Sequence, residues 1–205
     1  MVNRVVSKLY QYYRLTASIL YACLLLRCLT ILFLVGPKYL PNMIHEFLCY
    51  LMVIYSCIEL FFMIFVFRSI KFIPLVKCID FLYFVVVLNF HDDYEHAPIL
   101  KNMSYPIFII TMSIVQIFEH WTKLFKTHRM SKRNNSMFGK LRENIITPVM
   151  VISQFYLFIL NLHKYDNYHT TDTLDKLNNV VLVLYIPIAL FLFKNRRNDR
   201  FYVNF

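Results

Sequence analysis

Residues 15–35 read LTASILYACLLLRCLTILFLV, and this stretch decides the fold because it is apolar for the full length of a membrane crossing. An α-helix needs about 20 apolar residues to cross the hydrocarbon core of a bilayer. Five further apolar stretches follow, at roughly 47–67, 72–90, 105–125, 145–162 and 177–194. The sequence therefore predicts an all-α protein, a polytopic transmembrane helical bundle of about six spans.

The basic residues lie almost entirely in alternate connecting segments. Residues 1–14, 68–77, 123–142 and 194–205 hold 17 of the 22 lysines and arginines, whereas the other three loops hold only Lys38, Lys101, Lys164 and Lys176. Loops rich in lysine and arginine stay in the cytosol when a membrane protein is inserted. We therefore expect both termini in the cytosol and an even number of crossings.

The composition leaves little room for anything but the membrane helices. Hydrophobic residues make up 59% of the chain and charged residues 17%, whereas about a quarter of a soluble domain is charged. Residues 1–205 are thus expected to form a single integral-membrane domain. The net charge of +10 belongs mainly to one side of the membrane, so it favours contact with anionic membrane lipids over nucleic acid.

Six ionisable residues lie in or near the predicted spans, where charge is costly and a functional role is the default hypothesis. At about 1.5 Å per residue, the three carboxylates share a layer about 10–12 Å from the cytosolic helix ends. One interpretation is a polar cavity that binds a cation, a proton or a lipid headgroup. The other, which we favour, is a set of ion pairs that fixes the helix register: Asp80 with Lys77, Glu119 with Lys123, and Glu59 with Arg27. The predicted intramembrane polar cluster comprises Arg27, Glu59, Lys77, Asp80, Glu119 and His120.

A second group of candidates lies on the predicted lumenal side. Imidazoles and carboxylates are zinc ligands, but His91 and His96 are five residues apart and do not share a helix face, and no cysteine assists them. A solvated acidic loop is therefore the favoured interpretation, with no metal and no cofactor. The lumenal candidates are His45, Glu46, His91, Asp92, Asp93, Glu95 and His96.

The segment LFLVGPKYLP at residues 32–41, followed by His45-Glu46-Phe47, resembles a fungal family of small endoplasmic reticulum (ER) membrane proteins. That family associates with the glycoside-hydrolase-like membrane proteins needed for the β-1,6-glucan of the cell wall. The resemblance implies a multi-pass protein of the ER membrane that acts as a non-enzymatic partner or chaperone for a wall-synthesis protein. It supplies no catalytic residues.

Two hypotheses of function follow. The first is an interaction protein that binds and supports a larger membrane protein, with no turnover of its own. The second is an integral-membrane enzyme, or a lipid- or ion-handling protein, that uses the intramembrane carboxylates and arginine. The sequence contains no serine elbow, glycine-rich phosphate loop or HExxH motif, so no catalytic motif supports the second hypothesis.

Overall fold

The computed structural model describes residues 4–68, 72–89, 98–124, 139, 141–161 and 172–198. Two π-helical turns, Phe62–Val66 and Arg142–Ile146, lie at the end of the second helix and the start of the fifth, and shorter helical turns at Pro37–Tyr39 and Pro98–Lys101 precede the second and fourth. No strand occurs in the described ranges, so the predicted all-α class is confirmed. The part of the chain that the structure describes contains six long helices: α1 (Arg4–Leu34), α2 (Leu40–Phe61), α3 (Phe72–Leu88), α4 (Ser104–Leu124), α5 (Thr147–Asn161) and α6 (Asp172–Asn198).

Among the described residues, three helical segments are long and apolar enough to cross a bilayer. They are Lys8–Leu34, Pro37–Val66 and Arg142–Leu160, while Lys176–Phe191 is apolar but shorter. The fourth predicted span, residues 105–125, coincides with α4, and the third corresponds to α3, which has 17 residues. The structure therefore supports a helical membrane protein, whereas six crossings and cytosolic termini stay predictions.

Two helices begin earlier than their apolar stretches. α1 begins at Arg4, well before the predicted span, because Tyr10, Tyr13 and Arg14 contact α2. α2 begins at Leu40 and carries Pro41 in its first turn, where the missing N–H of proline has no helical partner to lose. The turn between them passes through Gly36, whose φ of 92° is in a region that disfavours side chains.

The helices pack as antiparallel neighbours. α1 packs mainly on α4, α4 on α5, and α2 on α1 and α3, while α6 lies at the periphery against α5. Side-chain contacts join the beginning of one helix to the end of another, as between Arg14 and Glu59 or between Lys77 and Glu119. This alternation of direction is the arrangement that six successive crossings require.

The interior divides into two halves of different chemistry. The half farther from the first residues of α1 is filled by apolar side chains, and the rings of Phe84 and Phe108 lie 4.3 Å apart there. The half nearer those residues holds most of the buried polar groups, among them Arg14, Glu59 and Gln116. The fold thus gathers most of its buried polar side chains toward one end of the bundle.

Candidate functional site

Glu59 is the centre of the first buried charge pair. Glu59 lies near the end of α2, and its side chain is 8% exposed, as is that of Arg14 on α1. Arg14 Nη2 donates to Glu59 Oε1 over 3.3 Å, Tyr55 donates to the same oxygen over 3.2 Å, and Tyr10 donates to Glu59 Oε2 over 3.1 Å. Arg14 also contacts the Tyr10 hydroxyl. Three donors from two helices therefore compensate the desolvation of one carboxylate.

A second charge pair joins α3 to α4. Lys77 Nζ donates to Glu119 Oε2 over 2.7 Å and to Gln116 Oε1 over 2.8 Å. The same ammonium group lies 5.6 Å from the centre of the Tyr55 ring and 5.7 Å from that of Phe81. These distances are within the range of cation–π attraction, which is stronger where water is excluded.

Aromatic rings connect the two pairs. His120 is fully buried, its ring stacks on Tyr21 at 6.1 Å, and it meets Tyr55 edge-on at 5.1 Å. Tyr55 also donates to Glu59, so this one tyrosine contacts both charge pairs. We call the two charge pairs, together with Gln116 and the rings that connect them, the polar layer. Its members are Arg14, Tyr21, Tyr55, Glu59, Lys77, Gln116, Glu119 and His120.

Asp80 is held apart from these pairs. Gln154 of α5 donates to Asp80 Oδ1 over 2.8 Å. The predicted pair with Lys77 is therefore wrong, because Lys77 turns to Glu119 across the helix interface. The side chain of Lys123, the predicted partner of Glu119, lies outside the described residues.

Arg27 does not join the polar layer. It is exposed on the outer face of α1, and the predicted Glu59–Arg27 pair is wrong because Arg14 occupies that position. The cause is the early start of α1, which carries Arg14 to the depth of Glu59. Arg27 lies thirteen residues, or about 20 Å, farther along the helix.

Of the lumenal candidates, His45 is buried and belongs to a separate hydrogen-bonded group. The side-chain amide nitrogen of Asn89 donates to the Val85 carbonyl over 2.8 Å. This bond orients the amide oxygen of Asn89 toward His45 Nε2, which lies 3.2 Å away. An amide oxygen only accepts, so the proton of the neutral imidazole is on Nε2 and Nδ1 accepts from the Tyr105 hydroxyl at 3.2 Å. This group joins the adjacent ends of α2, α3 and α4.

The remaining lumenal candidates do not form a described site. Glu46 is exposed on α2, and residues 91–96, which include His91, Asp92, Asp93, Glu95 and His96, lie outside the described residues. Within the part of the chain that the structure describes, no group of three histidine, cysteine or acidic side chains could hold a metal ion.

Sequence reasoning missed the aromatic and amide members of the site. Tyr10 and Tyr13 precede the first predicted span in the sequence, and the structure packs both of them on α2. The four-residue spacing of Tyr10 and Arg14 was a usable signal, because it places both on one helix face. Nothing in the sequence indicated that Gln154 would reach Asp80, since that contact depends on how α5 docks against α3.

No family model matches the chain, and no solved structure matches it. One curated protein does: the beta-1,6-glucan synthesis-associated protein KEG1 of Saccharomyces cerevisiae is 44% identical over 195 residues, which cover 93% of this chain and 96% of that protein. The chain belongs to the KEG1 family. The resemblance predicted from residues 32–41 is thereby confirmed, and the family extends across both the polar layer and the apolar half of the bundle.

Proposed function

We propose that this chain is a non-enzymatic protein of the ER membrane that binds and supports a larger membrane protein of cell-wall β-1,6-glucan synthesis. The observation that carries the proposal is the 44% identity, across nearly the whole of both chains, to a protein named for its association with that synthesis. The larger partner is a glycoside-hydrolase-like membrane protein, and the support concerns its folding, stability or localisation.

The pairing of the buried charges supports this proposal. Arg14 forms an ion pair with Glu59, and Lys77 forms one with Glu119. Gln154 donates a hydrogen bond to Asp80. A carboxylate that serves as an acid or base must reach its substrate, whereas these carboxylates are engaged by neighbouring helices. Such pairs are suited to holding one helix register in a bundle that presents its outer surface to a partner.

The membrane-facing surface also suits an accessory protein. Large apolar side chains are exposed along all six helices, including Phe33, Ile54, Ile79, Ile107 and Ile152. In a bilayer these residues contact lipid tails or the helices of another membrane protein. The chain therefore has ample surface for association within the membrane.

The test replaces the S. cerevisiae relative with this chain and then depletes this chain from the cells. We expect the chain to restore wall β-1,6-glucan and to co-purify in mild detergent with a membrane protein of that synthesis. Depletion should lower the amount of that partner or retain it in the wrong compartment, while an unrelated ER membrane protein stays unchanged as the control. Normal wall glucan and a normal partner after depletion would contradict the proposal.

A second candidate function is an integral-membrane enzyme or a lipid- or ion-handling protein centred on the polar layer. The observation that favours it is a set of fully buried polar atoms without a hydrogen-bond partner among the described residues: Tyr21 OH, Ser56 Oγ, Ser113 Oγ and Gln116 Nε2. Such atoms are expected to bind water or a polar ligand.

Conservative changes of the carboxylates separate the two functions. Glu59→Gln and Asp80→Asn keep the shape of each side chain and remove its charge. Loss of wall glucan with unchanged protein level and unchanged partner recovery would favour chemistry at the buried carboxylate that was changed. Our proposal expects that any loss of glucan is accompanied by loss of the protein or of its complex.

A further inference from the structure

One face of α1 is turned away from the rest of the bundle. Its members follow one another at alternating spacings of four and three residues, which places them on a single side of the helix. An adjoining side of the helix carries buried residues such as Ala17, Tyr21 and Leu24. This stripe, which we call the Arg27 face, comprises Thr16, Leu20, Cys23, Arg27, Thr30 and Leu34, and it lies beside the exposed apolar residues Ile19, Leu26 and Phe33.

Arg27 places a charge within this face. It lies inside the apolar segment Lys8–Leu34, seven residues and about 10 Å before the end of that segment. The Cα–Cβ bonds of a helix tilt toward its N-terminus, so the side chain leaves the helix in the direction of Arg14, away from the nearer helix end. Extension of the guanidinium toward the nearer membrane boundary works against this geometry, and a charge left in hydrocarbon is costly.

The described part of the chain provides no counter-charge for Arg27. Its guanidinium has no hydrogen bond or ion pair with any described residue. The side-chain hydrogen bond that Arg27 receives within the described ranges is the one its carbonyl accepts from Thr30 Oγ1 over 2.9 Å. By contrast, the exposed residues in the range 180–191 of α6 are all apolar. The surface of α6 suits lipid tails, whereas the Arg27 face suits a partner that brings a negative charge.

Small side chains flank the arginine. Cys23 lies one turn before it and Thr30 one turn after it, and both are exposed. The hydroxyls of Thr30 and Thr16 are bonded to carbonyls of their own helix, so these residues present little more than methyl groups. Small residues on a membrane helix allow a second helix to approach closely.

We propose that the Arg27 face is the surface on which a transmembrane helix of the partner packs, with an aspartate or glutamate of that helix at the depth of Arg27. This inference rests on the proposed function, since it assigns the surface through which the chain binds the larger membrane protein. A carboxylate matches the planar guanidinium, because it can accept two parallel hydrogen bonds. The small residues on either side then bring the two backbones close enough to form that pair.

Photocrosslinking tests which molecule covers this face. A benzophenone amino acid is placed at Cys23, on the Arg27 face, or at Ile152, an exposed position of α5 that serves as the matched control. Irradiation of native membranes should link position 23, but not position 152, to a wall-synthesis protein with an acidic residue in a transmembrane segment. Links from position 23 to a second copy of this chain, or to lipid alone, would overturn the proposal.

Charge exchange tests the pairing itself. Arg27→Leu should lower partner recovery in mild detergent by about tenfold or more, while the thermal stability of the purified chain stays the same or rises. A structural role would lower both. Arg27→Asp should restore recovery only when the crosslinked partner carries arginine in place of its acidic residue.

The outcomes separate this inference from the proposed function. Equal recovery of the partner by the wild-type chain and by Arg27→Leu would overturn the inference that the Arg27 face binds the partner, and it would leave the proposed function intact. If Arg27→Leu loses bound anionic lipid but keeps the partner, Arg27 binds a lipid phosphate. That result would also overturn the inference that the Arg27 face binds the partner. Failure of the wild-type chain to recover any membrane protein of wall synthesis would overturn both.

Discussion

At the scale of single residues, the polar layer depends on how Glu59 is compensated. A carboxylate loses several kcal/mol of hydration when it is buried, and it recovers that cost only with good partners. Glu59 has three donors, of which Arg14 alone is charged. Removal of Arg14 therefore leaves an uncompensated charge, whereas removal of both residues leaves none.

The first prediction concerns this pair. Arg14→Leu should lower the free energy of unfolding by about 3–5 kcal/mol, and the double change Arg14→Leu with Glu59→Leu should recover most of that loss. Thermal unfolding in detergent measures both. Lys8→Leu, at an exposed position of the same helix, is the control and should have little effect. A double variant as unstable as Arg14→Leu alone would show that the carboxylate has another essential role.

The second prediction concerns the turn between α1 and α2. Gly36 has a φ of 92° and a ψ of 168°, and a Cβ added there would meet nothing within 4 Å. Gly36→Ala should therefore cost about 1–3 kcal/mol through backbone strain alone. Arg68, which has a φ of 46°, provides the opposite case, since Arg68→Gly should leave stability unchanged or raise it. Equal melting temperatures for wild type and Gly36→Ala would contradict this account.

At the scale of helices, α6 has the fewest contacts with the other long helices among the residues that the structure describes. Its main polar tie is the hydrogen bond that Tyr83 of α3 donates to Asn178 Oδ1 over 2.7 Å. Tyr185 also packs against Phe155 and Phe158 of α5. Local opening should accordingly begin at this helix, because it has few buried contacts.

The third prediction tests that tie. Tyr83→Phe should weaken the attachment of α6 by about 0.6 kcal/mol, with an upper value of about 1.7 kcal/mol, as is usual for hydrogen bonds between membrane helices. Hydrogen exchange of residues 177–191 should accelerate, while exchange in α1 and α4 stays unchanged. Tyr156→Phe, at an exposed position of α5, is the control. Equal exchange in the two variants would show that the apolar contacts alone hold α6.

At the scale of the whole molecule, the sequence predicted where the helices lie better than it predicted which residues of neighbouring helices contact each other. Apolar runs and their lengths follow from the bilayer itself, so each predicted stretch overlaps one of α1–α6, although α1 and α2 begin earlier than predicted. No comparable rule determines which charged residues form ion pairs. Lys77 satisfies helix spacing with Asp80 but pairs with Glu119, because contacts between helices depend on their relative rotation and depth. The exposure of Arg27 was missed for the same reason, since the apolar run containing it shows no clear polar side.

The fourth prediction concerns orientation in the membrane. The antiparallel contacts and the alternation of basic loops lead us to expect both chain ends in the cytosol. Tags at either terminus should be accessible to protease in sealed ER vesicles, and a tag inserted at Lys38, between α1 and α2, should be protected until detergent is added. Protection of one terminus and not the other would imply an odd number of crossings.

The two π-helical turns, Phe62–Val66 and Arg142–Ile146, have a consequence for the evolution of chain length. A π-helical turn holds one more residue than the α-helix around it would use. Deletion of a single residue within Phe62–Val66 would let the backbone close as an ordinary α-helix, and everything upstream would keep its rotation. Both turns are next to basic connecting segments, so related proteins can differ there by one residue provided that the buried side chains of Phe62, Met63 and Arg142 keep their positions.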